Sequence, residues 1–390
     1  MSVATPQSAI LGLMRYFNKS ASARHLLELK RHATFRKILN LGVVEFQRKY
    51  LRSAHMFGYP YWMVVGVTSS CQLECPGCPK GLRLPDHRRK RVMTLKDFKH
   101  VMDQVKPYVF NVAFNAWGEA FLNKNIYDMI AYANAQNIGT LVSANLNDLP
   151  NNGAERIAKS GLERLVVSID GATQESYARY RINGNLDNVL SNMRDVVEAK
   201  KRLGTENPHI AWQFLLFEHN QDEVARAQEI AKEIGINEIY FMTAGNRFDD
   251  DRINNQLRDD ISAKYYKENQ AVEPVCARPW YFMEINSDGG VSPCCDIEAY
   301  DGKDDFGNLL TTPLKKIWNN EKYKESRKLF QVKGYKPKVD TVCTECYRVK
   351  EFQQHAEAST APAYYFANAV LRPVEAILGY RSSRGPTPTG

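Results

Sequence analysis

Three cysteines share one short stretch, Cys71-Gln-Leu-Glu-Cys75-Pro-Gly-Cys78. A structural zinc site wants four ligands, so three thiolates leave one place open. A cubane iron–sulfur cluster held by three thiolates keeps one iron that a small molecule can occupy. A zinc knuckle and three incidental cysteines are the plainer readings of the same spacing. Five further cysteines stand far downstream: Cys276, Cys294, Cys295, Cys343 and Cys346. Four of them, ending in the Cys343-x2-Cys346 pair, are chemically reasonable as a four-thiolate zinc site. Eight cysteines in 390 residues, grouped at x2 and x3 spacings, fit metal ligation in a reducing cytosol better than a disulfide framework.

The elements around the triplet alternate between strand and helix. Trp62–Thr68 reads as a strand that delivers Cys71 onto a loop. Thr94, with Asp97 three residues on, reads as a helix start, and Phe98, Val101, Met102 and Val105 form the buried stripe of that helix. Val109–Ala116, Thr140–Ala144, Arg164–Ile169, Ile210–Phe217 and Glu238–Met242 read as five more strands. Helices are expected at 126–135, 152–160, 186–202 and 221–234. Six β/α units in succession predict an α/β fold with a parallel sheet. In such folds functional groups gather on loops at the C-terminal strand ends.

The order of the motifs on those loops is what carries a resemblance. The triplet follows the first strand and Asn115-Ala-Trp-Gly118-Glu119 the second. Ser143-Ala-Asn145 follows the third, and Ser168-Ile-Asp170-Gly171 with Tyr180-Arg181-x-x-Gly184 the fourth. In this the chain resembles the radical S-adenosylmethionine (SAM) enzymes. That family shares a partial (β/α)6 TIM-like barrel, and its three-cysteine [4Fe-4S] cluster cleaves SAM to a 5′-deoxyadenosyl radical. The resemblance implies that Cys71, Cys75 and Cys78 ligate this cluster and that Gly118 and Glu119 hold the SAM ammonium. It implies that Ser168 and Arg181 bind the carboxylate, that Asp170 lies close to the ribose, and that Asn145 belongs to the same site. Gln213 and Leu215 on the fifth strand would approach the adenine. A carboxylate suits an ammonium, and the always-charged planar fork of Arg suits a carboxylate. Two departures stand out: Gly77 where relatives carry an aromatic residue near the adenine, and Trp117 where they carry the first glycine of Gly-Gly-Glu.

Cys276-x12-Gly289-x4-Cys294 followed by Cys343-x2-Cys346 looks like the auxiliary-cluster domain called twitch, a truncated form of SPASM. Pro279-Trp280, Gly307-Asn308-Leu309 and Ile317-Trp318-Asn319 are typical company. The resemblance implies one auxiliary [4Fe-4S] cluster on Cys276, Cys294, Cys343 and Cys346. Cys295 is left over, as buried structure, as the ligand in place of Cys294, or as a catalytic hydrogen-atom donor. The expected domains are a basic helical extension (1–58), the barrel (59–245), a linker (246–275), the auxiliary domain (276–350), and a C-terminal helix with a disordered tail (351–390).

The resemblance further implies a small-molecule substrate, an external electron donor such as flavodoxin or ferredoxin, and no nucleic-acid partner. Oxidation of a hydroxyl on a sugar or cyclitol is the leading expectation. Epimerisation through Cys295 and modification of a ribosomally made peptide are the alternatives. The run Lys80, Arg83, His87, Arg88, Arg89, Lys90, Arg91 reads either as a cradle for an anionic substrate or as a solvated loop.

Net charge is +8 and is concentrated at one end. Residues 1–56 hold ten Lys and Arg against Glu28 and Glu45, which is +8, so the remainder balances. Leu26, Leu27, Phe35, Ile38, Leu39, Val43 and Phe46 recur at helical steps among these cations. Such a segment either lies on an anionic membrane surface or packs against the barrel with a solvated basic face. No run approaches the length of a membrane span, and the N-terminus lacks the pattern of a secretory signal. These features predict a cytoplasmic protein, peripheral at the inner membrane face if the first reading holds.

Overall fold

The computed structural model describes residues 30–84, 88, 92–244, 250–254, 256–265, 276–294 and 301–355. Six parallel strands form in the expected order: β1 (Trp62–Val65), β2 (Asn111–Phe114), β3 (Gly139–Ala144), β4 (Arg164–Ser168), β5 (His209–Leu216) and β6 (Glu238–Thr243). Helices α2 (Leu95–Val105), α3 (Ile126–Ala135), α4 (Gly153–Lys159), α6 (Leu186–Leu203) and α7 (Val224–Ile234) connect them, after an N-terminal helix α1 (Phe35–Phe46). Thr94 caps α2, its hydroxyl accepting the Asp97 N–H at 3.1 Å. A short helix α5 (Gln174–Tyr180), which the strand-and-helix pattern does not anticipate, is started by Thr173 accepting from the Ser176 N–H.

The sheet does not stop at six strands. Phe282–Ile285 (β7) pairs in parallel with β1, and Val291–Ser292 (β8) adds an antiparallel strand beyond it, giving the order β6-β5-β4-β3-β2-β1-β7-β8. In a six-stranded open barrel β1 would be an edge with unpaired backbone groups, and β7 covers it. The cysteine-bearing C-terminal segment is thereby continuous with the barrel sheet. Helices α8 (Asp259–Tyr265) and α9 (Arg278–Tyr281) lead into β7, and α10 (Leu314–Trp318), α11 (Glu321–Lys328) and α12 (Tyr347–His355) follow β8.

Alternating residues sort to two faces. Met63, Val65, Val112, Phe114, Val142, Leu165, Val167, Met283 and Ile285 join the main core with the helices, whereas Val64, Ala113 and Phe282 form a separate cluster on the other face. The main core continues into the C-terminal segment through Trp280, Leu309, Ile317, Trp318 and Cys343. There Arg327 is fully buried, donating to the carbonyls of Pro279, Ala54 and Trp318 at 2.9 Å.

Helix α1 packs against the barrel as a docked helix, with Leu41 and Val44 buried together with Lys37, Asn40 and Glu45, while Arg36 is exposed together with Phe35, Leu39 and Phe46. The outward face is thus apolar as well as basic, because hydrogen bonds of Lys37, Asn40 and Glu45 draw polar groups to the inner side. Among the described residues no helix is long and apolar enough to cross a membrane. Leu26, Leu27 and the stretch from 356 to the C-terminus lie outside the described residues.

Candidate active site

One cavity of about 330 Å³ opens at the C-terminal strand ends, and the motifs of four successive loops line it: Cys71, Cys75 and Cys78; Gly118 and Glu119; Asn145; Ser168 and Arg181. The cysteine loop is folded by its own backbone, with the Cys78 N–H on the Cys75 carbonyl at 3.2 Å and the Glu74 N–H on the Ile182 carbonyl at 3.2 Å. Gly118 lies against the first loop. A Cβ there would sit 2.1 Å from the Thr68 carbonyl oxygen, so no other residue fits.

Glu119 is buried. Its carboxylate accepts the Asn145 N–H at 2.7 Å and the Phe121 N–H at 3.4 Å. Burial nevertheless pushes its carboxyl up to about 7, so a bound cation would favour its charged form. Asn145 also reaches the cluster loop, its Nδ2 lying 3.7 Å from the Cys71 Sγ. Arg181 stands where α5 ends, its N–H on the Tyr177 carbonyl at 2.8 Å, and its Nη1 is 3.7 Å from the Cys75 Sγ.

Asp170, Gln213 and Leu215 are not among the residues lining the cavity. Asp170 is wholly buried. One carboxylate oxygen takes Arg181 Nε at 2.6 Å and the other the Leu215 N–H at 2.7 Å. A carboxylate so deep needs a counter-charge, and Arg181 supplies it. Asp170 thus pairs with Arg181 and orients it; the expectation that it lies near a ribose is separate from this contact. Gln213 accepts from the Tyr240 hydroxyl at 3.0 Å, and the Leu215 backbone N–H donates to Asp170.

The structure accounts for Gly77. Its φ is +66°, and a Cβ would meet Ile253 Cδ1 at 2.5 Å. Its N–H donates to Asp250 at 2.9 Å. The segment expected to be a plain linker thus reaches back to the cluster loop, placing an aliphatic side chain against Gly77. Trp117 and Tyr180 also line the cavity. Tyr180 packs against Phe217 in a tilted arrangement, with centroids 4.5 Å apart. Its place beside Arg181 was the available sequence signal.

In the C-terminal segment Cys343 is buried in the main core, with Cys276 and Cys346 packed against it. Burial pushes the Cys343 thiol up to about 12, and the two neighbouring cysteines push it the same way. Cys294 accepts from Arg278 Nη1 at 3.0 Å. Cys295 lies outside the described residues. Thiols raised this far stay protonated in water, and metal binding displaces their protons. Among the described residues no three His, Cys, Asp or Glu converge tightly enough for a single metal ion. Three thiols beside a polar cavity and four further thiols downstream are donor sets of the kind iron–sulfur clusters take.

Of the basic run, Arg88 is buried and paired with Asp305 at 2.6 and 2.9 Å and with Asp288 at 3.4 Å. It ties the loop after the triplet to the C-terminal segment, neither cradling an anion nor facing solvent. Arg83 is exposed beside Glu74 at 3.4 Å. His87, Arg89, Lys90 and Arg91 lie outside the described residues.

The radical SAM superfamily model matches residues 65–259, and the SPASM iron–sulfur cluster-binding domain matches residues 276–347. The AdoMet-dependent heme synthase of Methanosarcina barkeri is 21% identical over 310 residues, covering 69% of this chain and 85% of that protein. Streptococcus suis SuiB bound to S-adenosylmethionine superposes with a TM-score of 0.59 at 15% identity, over 93% and 92% of the two chains. Native anSMEcpe with bound AdoMet gives a TM-score of 0.51 at 15% identity, covering 83% and 100%. The chain belongs to the radical SAM superfamily. It is a radical SAM enzyme with a SPASM-type domain, and its cofactors are SAM, the [4Fe-4S] cluster that binds it, and an auxiliary iron–sulfur cluster.

Proposed function

We propose that this enzyme oxidises a hydroxyl-bearing carbon of a small molecule of the sugar or cyclitol type. The cavity shared by three thiols, Glu119, Ser168 and Arg181 supports the SAM chemistry, and the four downstream thiols, suited to a one-electron acceptor, support oxidation. Cys71, Cys75 and Cys78 would hold the SAM-binding cluster. Glu119 and the Gly118 backbone would take the SAM ammonium, and Arg181 and Ser168 its carboxylate, with Asp170 and Asn145 keeping these groups in place. Cys276, Cys294, Cys343 and Cys346 would hold one auxiliary [4Fe-4S] cluster through four thiolates. When bound, SAM and the first cluster supply hydrogen-atom abstraction, and the second supplies a one-electron acceptor. An external donor such as flavodoxin or ferredoxin delivers the initiating electron. The chain's own part is to orient SAM and to keep water out. Work at the inner face of an anionic membrane belongs to the same proposal, as do the domain limits expected from the sequence.

Epimerisation is the second reading, and it turns on Cys295. A thiol hydrogen is weak enough to be given to a carbon radical, and solvent labels it. A peptide substrate, of the kind named for SuiB with its precursor peptide, would replace the sugar. The test uses anaerobically reconstituted protein with SAM and dithionite, offered a panel of aminocyclitols and nucleotide sugars in D2O. The reading expects ketone formation matched one-to-one by 5′-deoxyadenosine, no deuterium in product, and full turnover by Cys295→Ala. Deuterated product with loss of turnover in that variant overturns oxidation in favour of epimerisation.

A further inference from the structure

Helix α1 buries polar side chains beside Leu41 and Val44 and leaves a second apolar stripe outside. Each buried polar side chain on it has a partner in the body of the protein. Lys37 Nζ donates to the Asn137 carbonyl at 2.6 Å. Asn40 pairs with both backbone groups of Tyr59 at 2.8 and 2.9 Å. Glu45 accepts from the Tyr61 hydroxyl at 2.8 Å and from Arg48 at 2.7 Å. Just beyond the helix, Gln47 accepts the Phe57 N–H at 2.8 Å and donates to the His55 carbonyl at 3.1 Å. Together with buried Leu41 and Val44 these bonds fix the orientation of the helix, and they leave a second set of apolar side chains facing outward.

That outward side is continuous. Phe35, Leu39, Phe46 and Leu51 are 84, 57, 52 and 57% exposed, and Phe57, held beside Gln47, is 77% exposed. Positions 35, 39, 43, 46 and 50 follow the helical repeat, so Phe35, Leu39, Val43, Phe46 and Tyr50 form one stripe. Phe46 and Tyr50 touch, with ring centroids 5.4 Å apart. Single exposed apolar residues are ordinary, but a rimmed stripe marks a surface that something covers.

We infer that this stripe is the docking surface for an anionic lipid bilayer. Charge selects the occupant. Lys30, Arg31 and Arg36 are exposed along this segment and Arg48, Lys49 and Arg52 half-exposed, while its single acid, Glu45, is buried, as is Lys37. The two other apolar stretches of this chain lack the opposite sign. Residues 1–29 carry Arg15, Lys19 and Arg24 against Glu28, and residues 356–390 carry Arg372, Arg381 and Arg384 against Glu357 and Glu375. An anionic bilayer offers both apolar depth and negative charge. The inference rests on the membrane placement proposed above and names its surface, and it is independent of which molecule is oxidised.

The test is co-sedimentation of the full chain, clusters reconstituted, with vesicles of phosphatidylcholine alone and of roughly 7:3 phosphatidylcholine to phosphatidylglycerol. Binding to the anionic vesicles is expected to be at least about ten-fold tighter and to weaken in high salt. The double variant Leu39→Glu/Phe46→Glu changes only exposed positions. It should lose at least about ten-fold of that binding while keeping wild-type iron content and 5′-deoxyadenosine formation. Equal vesicle binding by variant and wild type overturns the inference, as does the absence of binding by either. So does a drop in melting temperature of the variant without vesicles, which would place a segment of the same chain on the stripe. A dimer that the variant splits on gel filtration would place a second copy there and also overturn it. Loss of 5′-deoxyadenosine formation in wild type would instead strike the catalytic reading and leave vesicle binding untouched.

Discussion

Cys71, Cys75 and Cys78 stand at the wall of an open cavity among polar groups, whereas Cys343 lies in the main core with Cys276 and Cys346 packed against it. The first region keeps a carboxylate, a hydroxyl and a guanidinium aimed at one space. In the second, Cys343 is buried while Cys276, Cys294 and Cys346 are half-buried, and Arg278 donates to Cys294. Three thiols beside an open polar space leave room for a guest, whereas four can complete a cluster without one. The two sets are joined by Arg88, which leaves the loop after the triplet to pair with Asp305 across the sheet.

The largest contrast comes from removing thiols. A Cys71/Cys75/Cys78 triple Ala variant should keep about four of roughly eight irons, since each cubane holds four, and should form no 5′-deoxyadenosine. Cys343→Ala should likewise lose about half the iron but still bind SAM at the first site. Iron analysis and equilibrium dialysis with labelled SAM check both, and loss of SAM binding in Cys343→Ala would erase the distinction. Next come the residues proposed to hold SAM. Arg181→Ala should weaken SAM binding by roughly ten- to hundred-fold, the scale of losing a charge-assisted pair. Asp170→Asn should weaken it less, because it acts through Arg181, and iron content should stay normal in both.

Smaller effects probe the link between the regions. Arg88→Ala leaves Asp305 buried, where burial already pushes its carboxyl up to about 6 against the pull of Arg88. A loss of about 3 kcal/mol is expected in urea unfolding. Arg83→Ala, at an exposed pair, should change less than about 0.5 kcal/mol. The last effect sits in the closed region. Glu325 accepts from the Tyr335 hydroxyl at 2.7 Å and the Lys338 N–H at 2.8 Å, anchoring the chain that leads to Cys343. Burial pushes its carboxyl up, but Lys328, Lys338 and Tyr335 outweigh burial and hold it at about 2. Its unfolded value is higher, so its contribution is complete above the ordinary carboxylate range and shrinks as pH falls through that range toward 2. Glu325→Gln should cost about 2 kcal/mol at neutral pH, with the gap to wild type narrowing on acidification. A gap that widened would reverse the assigned sign.

Much of this was legible from residue order. Strand–helix alternation located all six barrel strands, and the motifs on four successive loops met at one cavity because parallel strands deliver their C-terminal ends to the same side. What escaped depends on partners distant in sequence. Residue order does not announce that Asp170 gives one oxygen to Arg181 and the other to the Leu215 N–H. Gly77 looks like a lost aromatic contact until Ile253 is found against it. The cations of α1 mark a polar helix, but which side faces inward was settled by Tyr59, Tyr61 and Asn137. The pairing of β7 with β1 follows from the need to cover an edge and carries no local signature.

Electron paramagnetic resonance of the reduced, reconstituted protein, with and without SAM, tests the division between an open and a closed cluster most directly. SAM should alter the signal of one cluster and leave the other unchanged, and the signal that survives in the Cys71/Cys75/Cys78 triple Ala variant should not respond to SAM at all. A surviving signal that shifts when SAM is added would contradict the account.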